Sequence, residues 1–210
     1  VYGAIFVGMV FAAGVQGRHL AVLFLLLLTG TVVVLQSERL EEYQLERLLV
    51  FIDEEADTRA RYNLEQAEVA IGNGGITGKG LFQGTQNVSD LVPEQQTDFI
   101  FTMLAEEFGL VGGLGLLGLY SLLLLYGLSI ALRCQNHFGR LLAMGFSVMF
   151  FLYAFINIAM VMALIPVVGL PLPLISFGGT AMITVLSGFG FLICVSVHRD
   201  VRVGRHGEGR

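Results

Sequence analysis

The chain has 210 residues, 55% hydrophobic and only 14% charged, with a mean hydropathy of +0.75. Soluble domains carry roughly 25% charged residues, so this composition excludes a soluble globular protein and belongs in lipid. The net charge of −5 is an uneven mean, because 15 of the 17 acidic residues lie between Glu38 and Glu107.

A helix that crosses about 30 Å of hydrocarbon needs about 20 mostly apolar residues, since lipid offers the backbone no hydrogen-bond partners. Five stretches are candidates for membrane spans: 1–15 and 20–35, which are short although the second can continue as a helix past Gln36, and 108–132, 141–165 and 175–197, which are long enough. The first lacks both the basic start and the small-residue cleavage site of a signal peptide, and is expected to be a span cut short. The last three are free of Asp, Glu, Lys and Arg. Short basic turns at Arg18 and His19 and at Arg133, His137 and Arg140 alternate with the polar segment 36–98 and the Pro-rich turn 166–174. The tail holds Arg199, Arg202, Arg205 and Arg210. By the positive-inside rule the two basic turns and the tail are cytoplasmic, which puts 36–98 and 166–174 on the outer face. Cys134 and Cys194 then both lie near the cytoplasmic side, where two reduced, unpaired thiols are expected.

Within the outer segment, 37–52 has apolar residues at Leu40, Tyr43, Leu48, Phe51 and Ile52, near helical spacing, which predicts an amphipathic surface helix or a solvated connector. A charged turn at 53–61 and a short helix at 62–71 follow. Next comes Gly72-Asn73-Gly74-Gly75-Ile76-Thr77-Gly78-Lys79-Gly80, five glycines around one lysine. Such a loop is either a plain turn or a cradle of backbone N–H groups for phosphate oxygens, with Lys79 adding charge. It is not a Walker A loop: Asn73 stands at that motif's first Gly, and Gly80 at its Ser or Thr.

Pro93 to Asp98 reads as a helix start, with Thr97 or Asp98 as N-cap ahead of an apolar run. A second reading of Glu94 and Asp98 is chemical: carboxylates at the membrane lip can act as general base or hold a metal. Inside the spans, Asn157 and Ser176-Phe177-Gly178-Gly179-Thr180 stand out as polar or small. They signal close helix packing or the wall of a lipid groove. Pro166, Pro171 and Pro173 shape the outer turn. Glu106 and Glu107, one to two turns below the helix start, are a functional hypothesis or face interfacial water.

Four longer strings decide between these readings. Tyr43-Gln44-x-x-Arg47, the run from Gln66 to Gln86, the run from Pro93 to Gly112 and the run from Asn157 to Thr180 (NIAMVMALIPVVGLPLPLISFGGT) resemble the SEDS peptidoglycan glycosyltransferases of the RodA type, across essentially the whole chain. The G-K-G and G-T-Q elements look more like the elongation branch, RodA, than the division branch, FtsW. The resemblance implies an all-α polytopic membrane protein of about ten helices, of which this chain holds roughly the last five. It implies two spans in 1–35, an extracytoplasmic catalytic loop at 36–98, three spans in 99–197 and a cytoplasmic tail at 198–210, in the bacterial cytoplasmic (inner) membrane.

The implied activity is polymerisation of lipid II into glycan strands with release of undecaprenyl diphosphate. The family's P-E-x-H-T-D-F element, whose aspartate is regarded as catalytic, matches at Asp98. Substrate contacts are expected from Glu94, Lys79, Gly78, Gln86, Thr97, Arg47, Ser176, Gly178 and Gly179. A divalent metal, Mg2+ or Mn2+, held by Asp98 is the alternative to Asp98 as base. No organic cofactor is implied. The implied partners are lipid II, undecaprenyl-linked glycan and a class B penicillin-binding protein, with no nucleic acid. Gln95 and Gln96 depart from the family's basic residue and His, and Glu68 from its Lys, so the His role does not transfer to Gln96.

The chemistry is a single displacement at carbon: an acceptor 4-hydroxyl attacks the anomeric carbon, and diphosphate leaves. Diphosphate is a good leaving group, so no acid of the paired-carboxylate glycosidase kind is needed. One base and positive charge for the phosphates suffice. Asp98 suits the base, and Lys79 with Arg47, Arg59 or Arg61 suits the charge. The rival classes are a lipid II flippase and a scaffold for a transpeptidase. A transporter would keep its key charges near the bilayer midplane, and the three complete spans have none there.

Overall fold

The computed structural model describes residues 2–12, 14–15, 17–36, 59–81, 83 and 97–199. The expected surface helix at 37–52, Arg47, Gln86, Glu94 and the tail beyond Arg199 lie outside the described residues. The described elements are six helices: α1 (Tyr2–Ala12), α2 (Gly17–Gln36), α3 (Arg59–Gly74), α4 (Ile100–Arg133), α5 (His137–Val161) and α6 (Gly179–Val197). The last three are long and apolar enough to cross a membrane. Only 22%, 33% and 22% of their apolar windows is buried. The remaining apolar surface faces outward, as lipid-facing helices must. The chain is a polytopic membrane protein.

Helix boundaries depart from the sequence expectations where backbone geometry intervenes. The charged turn at 53–61 gives up its last residues to α3, since Arg59, Ala60 and Arg61 are good helix formers. Helix α4 starts at Ile100, next to the helix start expected at Thr97 or Asp98 and eight residues ahead of the expected span, and breaks at Gly109, whose φ of 64° and ψ of −159° are not helical. Beyond the break, residues 110–133 extend about 36 Å at about 1.5 Å per residue, enough to span hydrocarbon. The expected span therefore corresponds to the part of α4 after its kink. Helix α5 ends at Val161, not 165. Leu164 N–H donates to the Ala159 carbonyl (2.9 Å) and Ala163 N–H to that of Met160 (3.1 Å). This is a Schellman termination with Ala163 in the left-handed position (φ 55°) that glycine usually fills. Helix α6 starts at Gly179, not 175, because Ile175 and Ser176 both turn back to the Leu172 carbonyl.

Helix α5 packs against α1, α4 and α6, while α3 lies on α4. Aromatic rings fill the centre: Tyr120 meets Phe150 edge-on at 5.4 Å, and Phe189 meets Phe150 at 5.5 Å and Phe146 at 5.1 Å. Small residues let the helices approach. A Cβ on Gly188 would collide with the Phe146 ring, one on Gly127 would meet Ser147 Oγ at 2.5 Å, and one on Gly8 would meet Val148 Cγ1 at 2.8 Å. Lipid gives no hydrophobic drive for helices to associate, so such close fits supply the attraction. At one end, Gln135 N–H donates to the Arg199 carbonyl (3.1 Å), which joins the basic α4–α5 turn to the start of the tail. Cys134 is buried beside Gly139, Cys194 is exposed, and both are free thiols.

Candidate functional site

Asp98 sits in the turn that leads into α4, and its main chain is held from two directions. Asn157, on α5 and 0% exposed, donates through Nδ2 to the carbonyls of Asp98 (2.8 Å) and Leu170 (2.6 Å). Ser176 Oγ donates to the neighbouring Thr97 carbonyl (2.6 Å) and accepts from Leu172 N–H (2.7 Å). The Asp98 side chain is half-buried. A Cβ added to Gly169 would come within 3.2 Å of its Oδ2, so a glycine with φ of 71° leaves the carboxylate its room. The expected N-cap is not what forms: Phe99 takes the cap position without a side-chain bond, and Thr102 turns both its N–H and Oγ1 to the Phe99 carbonyl.

The glycine loop also differs from its phosphate-cradle reading. The break at Gly109 leaves helix carbonyls and N–H groups without their usual partners, and the loop supplies them. Lys79 N–H donates to the Glu106 carbonyl (3.0 Å) and Gly80 N–H to that of Glu107 (3.1 Å), while Leu110 and Val111 N–H donate to Gly75 (2.9 Å) and Ile76 (3.2 Å). Gly78 N–H closes on the Gly74 carbonyl at 2.9 Å. These loop N–H groups bind protein carbonyls and are not presented to an anion. A Cβ at Gly78 would overlap the Glu107 carbonyl, and one at Gly74 the Ala105 carbonyl, so the glycines serve backbone-to-backbone approach. Lys79 Nζ reaches Glu106 Oε1 at 3.3 Å, with the Glu106 side chain 0% exposed and that of Lys79 29% exposed. Glu106 and Glu107 are buried in protein and face no interfacial water.

Beside Ser176 lies an apolar cavity of about 270 Å³ between α5, the 170–176 loop and α6, lined among others by Tyr153, Leu170, Pro173, Ser176, Thr180 and Val185. Gly178 and Gly179 join this loop to α6. Asn157 and Ser176 thus act neither as helix-packing residues nor as isolated groove walls. They bind the 97–98 turn, and Ser176 also faces the cavity. Tyr120, which the sequence reading passed over, anchors the same loop through its hydroxyl on the Pro173 carbonyl (2.5 Å). A tyrosine inside an apolar span was the available signal, because a buried hydroxyl needs a partner. Among the described residues no group of three or more His, Cys, Asp and Glu comes together. Arg59 and Arg61 fall within α3.

Residues 1–201 match the FtsW/RodA/SpoVE family of cell cycle proteins. The peptidoglycan glycosyltransferase MrdB of Escherichia coli K12 is 44% identical over 192 residues, covering 91% of this chain and 52% of the relative. A probable peptidoglycan glycosyltransferase FtsW of Halothiobacillus neapolitanus is 46% identical over 159 residues, 74% of this chain and 38% of the relative. The fold is similar to a chain of a solved peptidoglycan synthase complex that coordinates polymerization and crosslinking, with TM-score 0.73 and 34% identity over 92% of this chain and 53% of that one. The chain spans about half the length of the relatives it matches.

Proposed function

This chain belongs to the FtsW/RodA/SpoVE family of cell cycle proteins, and from that premise we propose that it forms the catalytic part of a peptidoglycan glycosyltransferase. The enzyme polymerises lipid II at the outer face of the bacterial inner membrane and serves cell elongation. The observation that carries this reading is a half-buried carboxylate, Asp98, whose turn is bonded to Ser176 and, through Asn157, to Leu170, two residues that line an apolar cavity of about 270 Å³, room for a segment of a polyprenyl chain.

In this reading the cavity takes the polyprenyl chain, and the headgroup lies at its mouth. The Asp98 carboxylate accepts the proton of the acceptor 4-hydroxyl as that oxygen bonds to the anomeric carbon. The carbon–oxygen bond to diphosphate breaks, and the lipid diphosphate leaves with the electron pair. A correctly placed general base contributes about 10²–10⁴-fold. Cationic side chains of the outer segment neutralise the leaving diphosphate; Lys79, already beside Glu106, retains partial exposure for this. Any divalent cation that takes part would find Asp98 as its anionic contact.

The partner we infer is a class B penicillin-binding protein, in keeping with the synthase complex whose chain this one resembles. The C-terminus is assigned to the cytoplasm from the clustering of Arg133, Arg140 and Arg199 at one end. A lipid II flippase would use the same cavity, but residues 110–132 of α4 and all of α6 carry no charge at mid-membrane depth. The test is purified protein of full family length, given lipid II and scored for glycan polymer, with and without Asp98→Ala. Polymer from the parent and none from the variant supports the enzyme. Lipid II translocation without polymer would favour the flippase.

A further inference from the structure

We propose that Asn157 and Ser176 are positioning residues that set the Asp98 carboxylate by gripping its main chain from the cavity-lining loop. The proposal rests on the reading of Asp98 as the base. Asp98 lies at the far end of the α4 segment 100–108, which the Gly109 break separates from the membrane-crossing part. The helix itself therefore does not fix the angle at which Asp98 projects. Phe99, at the cap position, has no side-chain group that could bond the helix start. The Thr97 and Asp98 carbonyls are held instead by residues 79 and 59 positions away in the chain, at 2.6 and 2.8 Å.

Both grips belong to one loop. Asn157 spends its two Nδ2 hydrogens on Asp98 and Leu170, so it ties the turn to the loop's entry. Ser176 accepts from Leu172 and donates to Thr97, so it ties the turn to the loop's exit. Leu170, Leu172 and Ser176 are also cavity wall. The carboxylate and the wall of the proposed lipid site are consequently one hydrogen-bonded unit. Gly169, in the same loop, leaves the space into which Oδ2 projects.

A misplacement of about 1 Å at a catalytic group costs on the order of 10²-fold in rate. Loss of a grip should accordingly lower kcat while KM, set by the cavity and headgroup contacts, stays near the parent. The experiment uses a chain of full family length with purified lipid II, comparing Ser176→Ala, Ser176→Thr, Asn157→Ala and Tyr120→Phe. The expected result is a kcat reduced about 10- to 100-fold in Ser176→Ala and Asn157→Ala with KM within about twofold. Ser176→Thr, which keeps a hydroxyl, recovers most of the rate. Tyr120→Phe removes an equally short bond to the same loop but none to the 97–98 turn. It should lower the melting temperature and reduce kcat by clearly less than Ser176→Ala does.

Parental kcat in Ser176→Ala overturns the proposal. So does an equal loss in Tyr120→Phe, which would reduce the grip to general loop stability, and so does a loss that appears only in KM. Where Asn157→Ala does not fold, the Ser176 pair and Tyr120→Phe decide. If Asp98→Asn itself polymerises at the parental rate, the assignment of Asp98 as base fails, a result separate from any of these.

Discussion

Gly109 and Gly78 occupy a single backbone junction: a Cβ on Gly109 would overlap the Gly78 nitrogen, and one on Gly78 would overlap the Glu107 carbonyl. Both have positive φ, 64° and 77°. The junction lets a polar outer loop act as the missing turn of a membrane helix, since lipid would otherwise leave the broken bonds unsatisfied. A glycine-rich sequence next to a lysine thus answers first to helix continuity, with Lys79 and Glu106 pairing across the same contact.

Gly78→Ala and Gly109→Ala should each destabilise the protein by at least about 2 kcal/mol, through left-handed backbone strain and overlap with main-chain atoms that cannot yield. Gly72→Ala is the contrast, since a Cβ there meets nothing. In a helix interior it should be neutral or stabilising by about 0.5–1 kcal/mol. Thermal unfolding in detergent measures all three, and equal melting temperatures would refute the junction.

The Lys79–Glu106 pair can be measured by a double-mutant cycle. Lys79→Ala removes a cation from a buried carboxylate and should cost about 1–3 kcal/mol, reduced from the fully buried case because Lys79 retains partial exposure. Lys79→Ala combined with Glu106→Gln should recover part of that loss, and Lys79→Arg should retain part of the pairing. If Lys79 also neutralises diphosphate, the double variant will fold well yet use lipid II poorly. Parental kinetics in the double variant would confine Lys79 to structure.

Asp98→Asn should fold and insert normally, because Asn keeps the side chain's size and an acceptor oxygen, yet lose about 10²–10⁴-fold in polymerisation. Glu94→Gln should have the weaker effect. Glycan polymer from purified proteins of full family length distinguishes the two carboxylates, and a near-parental Asp98→Asn would remove the base from the mechanism.

Topology is open to a labelling experiment. In a background carrying Cys134→Ala and Cys194→Ser, a Lys79→Cys protein on intact cells should react with an impermeant thiol reagent, and an Arg140→Cys protein should not. The reverse pattern would invert the membrane orientation.

Composition and periodicity alone determined that the chain crosses lipid and that three long apolar helices follow Asp98. Those features depend on local burial and on the distance a helix must cross, both of which a linear string records. Tertiary structure decided the rest. The kink at Gly109 was illegible because its repair comes from backbone groups 27 to 35 positions earlier in the chain, a pairing that local sequence does not record. The stop at Ala163 gave no signal because alanine rarely adopts the left-handed conformation. Asn157 and Ser176 read as packing residues or groove wall, and not as a grip on the 97–98 turn, because hydrogen bonds to carbonyls 59 and 79 positions away leave no trace in local sequence. Main-chain acceptors are alike at every residue, and only the folded path of the chain selects which one a buried amide or hydroxyl meets.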